Sequence, residues 1–147
     1  PHFCISVALI KGKEIISGLI FDPIKNEIFY AEKNLGAFFN NQRIRVSKKN
    51  KIDECLFGSN LDGVKNIDLN LRVSGSAALD LAYVASGRLD GFYQKNLNIW
   101  DIAAGILLIN EAGGVIDHMD INQIKKHKII ASSETISKDL RKFLKNF

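Results

Sequence analysis

Residues 75–114 read GSAALDLAYVASGRLDGFYQKNLNIWDIAAGILLINEAGG, and their pattern sets the architecture. Ser76 to Ser86 has the length and spacing of a helix closed by Gly87, since glycine readily takes the left-handed conformation that ends helices. Ile102 to Ala112 predicts a second helix, closed by Gly113-Gly114, with a strand at Asp90 to Tyr93 between the two. Both helices are apolar nearly all round. Ile102-Ala103-Ala104-Gly105-Ile106-Leu107-Leu108-Ile109 leaves almost no polar stripe, and Ala77 to Ala85 leaves little more. Helices of this kind lie between two other layers, and their small residues permit close approach.

The N-terminal flank is a run of strands. Ile5 to Ile10 and Ile15 to Phe21 are rich in β-branched residues and are joined by Lys11-Gly12-Lys13-Glu14, a hairpin signal. Asp22-Pro23-Ile24-Lys25-Asn26 is a turn by composition, with Asp22 its polar anchor, and Glu27 to Glu32 alternates into a third strand. Leu35 to Gln42 predicts a short strand and a tight turn, leading to a strand around Ile44 to Val46. Residues 1–46 therefore read as antiparallel strands from the end of an N-terminal sheet domain. Residues 47–147 read as a C-terminal α/β domain. In it, strands at Cys55 to Ser59 and near Leu71 to Val73 bracket a polar loop, Asn60 to Asn70. Strands at Val115 to Asp117 and Lys128 to Ser132 precede a last helix, Glu134 to Leu144. The fold class is α/β, a sandwich of several layers.

With 46% apolar and 24% charged residues in 147, the chain can build a core and is not of the disordered class. No apolar run approaches the roughly 18 residues of a membrane helix, and no signal peptide opens the chain. Cys4 and Cys55 stand far apart and outside any metal-ligand spacing, so buried free thiols and a cytoplasmic location are expected. The formal net charge is +4. Its late excess (Lys125, Lys126, Lys128, Lys138, Arg141, Lys142, Lys145) reads as a solvated face, because no aromatic residues interleave to stack bases. The chain runs from Pro1 straight into an apolar strand, and its only methionine is Met119. This reads as a portion of a longer protein.

Two segments could carry chemistry. Asp101, in Ile99-Trp100-Asp101-Ile102, falls at the N-terminal end of an apolar helix. It reads either as a capping aspartate that accepts free helix amides, or as a carboxylate fixed so that its outer oxygen holds a hard cation such as Mg²⁺, with Trp100 packed beneath it. Val73-Ser74-Gly75-Ser76-Ala77-Ala78 sits where another strand feeds a helix. It reads either as an ordinary cap or as a place where Gly75 lets a ligand approach the backbone and the helix start favours an anion.

Taken together, residues 75–114 resemble the inositol monophosphatase family, through the WDIAAG and EAGG elements at their mutual spacing. PHFCISVALI at residues 1–10 is similar to the segment just after that family's DGT-type metal loop, and NLGAFFNNQRIRV at residues 34–46 is also similar. The resemblance covers essentially the whole chain. It implies the family's alternating α/β/α/β/α fold, with N-terminal elements outside this chain, and Mg²⁺-assisted hydrolysis of a small phosphate monoester, inositol monophosphate by default. It makes Asp101 a metal ligand, and Gly75, Ser76 and Ala77 the turn that contacts substrate. Gln94 matches a position where inositol-specific members carry glutamate, so a neutral amide there puts inositol preference in question.

The glutamate and DGT-type aspartates that hold most of the family's metal precede Pro1. The isolated chain is therefore expected to be inactive. The resemblance also admits a homodimer, an association with the transcription machinery like that of some bacterial relatives, or a decayed split-gene product. The remaining conspicuous residues read as structural: His2, His118 and His127 share no ligand spacing, and Asp80, Asp90 and Glu111 suit internal hydrogen bonds. The Asn60 to Asn70 connection looks too short for the helix usual there in the family.

Overall fold

The computed structural model describes residues 1–60, 68–117 and 126–144. The chain opens with a meander of β1 (Ile5–Lys11), β2 (Glu14–Asp22), β3 (Glu27–Glu32), β4 (Gly36–Phe39) and β5 (Gln42–Arg43). These strands pair antiparallel with their sequence neighbours in one five-stranded sheet. The turns are set by residues that tolerate positive φ: Gly12 between β1 and β2, Asn26 between β2 and β3, and Asn40-Asn41 between β4 and β5. Asp22 anchors its turn as expected, its Oδ1 accepting the N–H groups of Ile24 and Lys25 at 2.9 and 3.0 Å. Those bonds hold its carboxyl below the usual range.

A 3₁₀ turn (Ile52–Glu54) leads to β6 (Leu56–Gly58), β7 (Asn70–Arg72), α1 (Ala77–Ala85), β8 (Gly91–Leu97), α2 (Ile99–Glu111), β9 (Gly114–Asp117), β10 (His127–Ser133) and α3 (Glu134–Phe143). The second sheet has the order β7-β6-β8-β10-β9. Its β6 pairs parallel with β7 and β8, while β10 pairs antiparallel with β8 and β9. The layers run first sheet, then α1 with α2, then second sheet, then α3.

The middle layer explains its own sequence. Ala78, Leu79, Leu81, Ala82, Val84 and Ala85 of α1 are buried, as is every residue of α2 from Ile102 to Ile109. Buried on both sides, these helices form the centre of the main core. Close approach depends on two glycines. A Cβ on Gly18 would lie 2.9 Å from the Ala104 Cα, and one on Gly105 would lie 2.5 Å from Leu81 Cδ1. On the far side of the second sheet, Cys55, Phe57 and Tyr93 pack against Ile136, Leu140 and Leu144.

The first sheet is covered on one face only by the described residues. Cross-strand neighbours share a face, so Ile5, Phe21 and Ile28 form one row and Val7, Leu19, Tyr30 and Phe38 the next. Most of this face is apolar, and Ile5, Val7 and Leu9 are each more than half exposed.

Three local expectations need correction. Ile44 to Val46 is not a strand. The Ile44 N–H donates to the Ala37 carbonyl (2.9 Å), the Val46 N–H donates to the Ala112 carbonyl (3.2 Å), and both side chains pack on the core. Helix α2 starts at Ile99, three residues before Ile102, because Asn98 serves as its cap. Trp100 does not lie beneath Asp101; it is 68% exposed. Residues 61–67 fall outside those described, and the expectation for the Asn60 to Asn70 connection falls with them.

Candidate active-site pocket

The five residues singled out from the sequence, Gly75, Ser76, Ala77, Gln94 and Asp101, all line one cavity of about 510 Å³. They arrive from three elements. The turn before α1 supplies Gly75 and Ser76, with Ala77 the first residue of the helix; β8 supplies Gln94; the first turn of α2 supplies Asp101. His2 and Cys4, just before β1, also line it, as does Trp100.

Gly75 has φ +90, a conformation that strains any other residue, and a Cβ there would meet nothing within 4 Å. Its reason is the backbone turn. Ser76 caps α1, its Oγ accepting from the Leu79 N–H at 3.4 Å. The N–H groups of Ala77 and Ala78 have no hydrogen-bond partner among the described residues. Such free first-turn donors favour an anion.

Asp101 is the third residue of α2. Its Oδ2 accepts the Asn98 backbone N–H at 3.1 Å and the Asn98 side-chain amide at 3.2 Å. The Asn98 Oδ1 in turn accepts from Lys126 Nζ at 2.6 Å, which fixes which way the amide faces. The other Asp101 oxygen, Oδ1, has no hydrogen-bond partner among the described residues. The capping reading and the cation reading are thus compatible: one oxygen caps, the other is left over. Asn98 was missed in the sequence, although the Asn-x-x-Asp spacing of a capping box was there to find.

Asp101 fits one coordination position of a hard cation. No group of three or more His, Cys, Asp or Glu side chains that could hold a metal ion occurs among the described residues. Asp101 is thus not joined by two further such side chains among the described residues. Cys4 is no ready nucleophile: burial pushes its thiol up, opposed by a hydrogen bond with Ser76 (3.7 Å) and reinforced by the charges of Asp22 and Asp101.

Asp90 and Glu111, read as structural, make internal hydrogen bonds. Burial pushes the Asp90 carboxyl up, but hydrogen bonds from Ser47, Lys49 and the Leu56 N–H outweigh it and leave it lowered. The last two measure 2.9 and 2.7 Å. Glu111 accepts the N–H groups of Asn34 and Gly36 at 2.8 and 2.9 Å, tying α2 to the first sheet. Asp80 is buried, and burial pushes its carboxyl up to about 6 against the pull of Ser74. His127 is a buried strand residue with neither ring nitrogen partnered among the described residues, whereas His2, expected at an ordinary surface or strand position, lines the pocket with its Nε2 buried and unpartnered among the described residues. Arg141 pairs with Asp117 and Lys142 with Asp139, the behaviour of a solvated face. His118, Lys125 and Lys145 lie outside the described residues.

A model of the inositol monophosphatase family matches residues 1–145. The chain is similar to an inositol-1-monophosphatase of Mesorhizobium japonicum, at 38% identity over 99% of this chain and 61% of that protein. It is equally similar, at 38% identity, to the Nus factor SuhB of Xylella fastidiosa over 79% of this chain and 48% of that protein. Among solved structures, the extragenic suppressor protein suhB of Bartonella henselae superposes with a TM-score of 0.89 at 42% identity, covering 99% of this chain and 62% of that one. The chain thus spans about three fifths of the length of the first of these relatives.

Proposed function

This chain belongs to the inositol monophosphatase family, and we propose that it forms the substrate-side half of a Mg²⁺-dependent phosphomonoesterase acting on a small polyol phosphate, by default inositol monophosphate. One observation carries the reading. The anion-favouring start of α1, the amide of Gln94 and the carboxylate of Asp101 converge on a single 510 Å³ cavity. The metal would supply Lewis-acid stabilisation of the leaving oxygen and an activated water. In this chain, Asn98 holds Asp101 by Oδ2, which would leave Oδ1 to bind the cation. The turn at Gly75, Ser76 and Ala77 would contact the ester through the Ser76 hydroxyl and the free N–H of Ala77, while the Ser76 N–H is held by Ser74 Oγ at 3.2 Å. Gln94 offers a donor and an acceptor to a ring hydroxyl.

Residues 1–46 and 47–147 would act as two parts of this unit, the first framing the pocket through His2 and Cys4. Location in the cytoplasm suits the two free thiols; no helix among the described residues is long and apolar enough to cross a membrane.

Mg²⁺ usually takes more than one oxygen ligand from protein or substrate, and Asp101 is one. Purified chain should therefore give negligible turnover of inositol 1-phosphate or an aryl phosphate at any Mg²⁺ concentration. The same chain joined to the portion of the Mesorhizobium relative that it does not span should turn over inositol 1-phosphate in a Mg²⁺-dependent way. A joined protein that is folded, binds Mg²⁺ and cleaves no phosphate ester would refute the reading.

A second reading is an association with the transcription machinery, favoured by the relatives that bear the name Nus factor SuhB. Co-purification of the tagged chain with RNA polymerase, in the absence of phosphatase activity from the joined protein, would select it.

A further inference from the structure

Between β8 and β10 the antiparallel register changes by one residue. Ile129 faces Gln94, but two residues earlier His127 faces Leu97, so Lys95 and Asn96 together stand opposite Lys128. This is a β-bulge on β8. Asn96 takes it up with φ +62, a left-handed conformation that asparagine tolerates better than most residues. The shift has a consequence beside the pocket. Continued from the His127–Leu97 pair, the register brings Lys126 opposite Asn98, and Lys126 Nζ donates to Asn98 Oδ1 at 2.6 Å. A register one residue off would set Lys126 against Leu97 instead.

The contact settles the orientation of a side chain that could otherwise turn over. An asparagine amide has a donating end and an accepting end of nearly the same shape, whereas an ammonium group only donates. Lys126 therefore selects the oxygen end and leaves Nδ2 for Asp101 Oδ2, which it reaches at 3.2 Å. With the amide reversed, two oxygens would face each other. The Asn98 backbone N–H donates to the same Oδ2 at 3.1 Å. Polarised by a charged partner, the amide is also a stronger donor in turn.

The arrangement keeps the charges apart as well. Asp101 forms no ion pair among the described residues, because Asn98 stands between it and Lys126. A lysine bound directly would occupy a carboxylate oxygen and offset the charge that a cation needs. One side chain away, it fixes the carboxylate and leaves Oδ1 without a hydrogen-bond partner among those residues.

We propose that Lys126 is a positioning residue for Asp101: through the Asn98 amide it holds Oδ2 in place and leaves Oδ1 for a ligand, and the bulge at Asn96 is the backbone device that delivers it. Its value for a cation rests on the reading of Asp101 as a metal ligand; the positioning itself does not.

The test uses the full chain, labelled with ¹⁵N, as wild type, Lys126→Met, Lys126→Arg, Asn98→Ala and the Asn98→Ala, Lys126→Met double variant. Without metal, hydrogen exchange is followed at the backbone N–H of residue 98. Lys126→Met should quicken it about threefold, as suits the loss of an exposed charged contact. Lys126→Arg, which still donates, should return it to the wild-type rate. Amides deeper in α2, such as those of Ile106 and Ile109, should keep their rates, which a general loosening of the helix would not allow. In the Asn98→Ala background the rate at residue 98 should no longer respond to Lys126→Met. Mn²⁺, a hard cation that broadens nearby amide signals even at low occupancy, is then titrated at high salt, which screens its direct repulsion by Lys126. Broadening at Ile99 to Ile102 should need about threefold more Mn²⁺ in Lys126→Met than in wild type or Lys126→Arg. An exchange rate at Asn98 that ignores Lys126→Met, or that responds equally in the Asn98→Ala background, would overturn the proposal. If exchange responds as expected while Mn²⁺ broadens no amide around Asp101, the metal reading fails and the positioning role stands.

Discussion

Asn98 donates both its backbone N–H and its side-chain amide to the same oxygen of Asp101, at 3.1 and 3.2 Å. The pairing makes the cap of α2 and the aim of the candidate metal ligand one structural device. Asn98→Ala should therefore cost about 1 kcal/mol of stability, the usual value for losing a helix cap. In the joined, active protein it should also weaken Mg²⁺ activation. Urea denaturation measures the first effect and a Mg²⁺ titration of turnover the second.

Asp80 predicts a pH-dependent stability. The folded carboxyl lies at about 6 against an ordinary 3.8, because of burial. The folded chain thus holds this proton more tightly than the unfolded chain does. Its contribution is most favourable below about pH 4 and is lost as the pH rises through about 6, by an amount on the order of 3 kcal/mol. Asp80→Asn abolishes that loss. The stability of Asp80→Asn relative to wild type should rise steadily between pH 4 and pH 7 in urea melts; a constant difference would contradict the assignment.

The middle layer predicts a steric effect at Gly105. A Cβ there meets Leu81 at 2.5 Å, so Gly105→Ala forces α1 and α2 apart. A loss of about 2 kcal/mol is expected from overpacking, despite the better helix propensity of alanine. In a double-mutant cycle with Leu81→Ala, the two changes should be strongly non-additive, since truncating Leu81 vacates the space the new methyl needs.

The two-sided apolar patterns of residues 77–85 and 102–109 were enough to place both helices between sheets, because burial on both faces leaves no room for a polar stripe. The turns at Gly12, Asn26 and Asn40-Asn41 were legible for a similarly local reason: positive φ selects the residue type. The misread parts depend on distant partners. Val46 looked like a strand residue, but its N–H goes to Ala112, 66 positions away. Trp100 looked like a support for Asp101, yet the support comes from Asn98, and the indole faces solvent. Gly75, Ser76, Ala77, Gln94 and Asp101 could be gathered into one site only through resemblance. Nothing in their spacing says that β8 and two helix starts meet at one cavity.

Gln94 predicts a change in substrate preference and not in overall rate. It faces the same cavity as Asp101 but carries no charge for a cation. In the joined protein, Gln94→Glu should shift kcat/KM among inositol, sugar and nucleotide phosphates by the roughly 1–3 kcal/mol of a hydrogen bond to a charged group. Measured across those esters, a uniform change would show that Gln94 does not contact the part of the substrate that differs among them.

The metal-ligand role of Asp101 stands or falls on the Mg²⁺ dependence of Asp101→Asn in the joined protein. Asparagine keeps the size of the side chain and an oxygen to receive the Asn98 N–H, but it removes the charge that the cation needs. Turnover of inositol 1-phosphate should fall at least a hundredfold, and the Mg²⁺ concentration for half-activation should rise at least tenfold, with every phosphate ester affected alike. The stability of the variant should stay close to wild type, within about 1 kcal/mol of the capping interaction. An Asp101→Asn protein with unchanged Mg²⁺ half-activation would contradict the metal-ligand role, and Asp101 would be a helix cap alone.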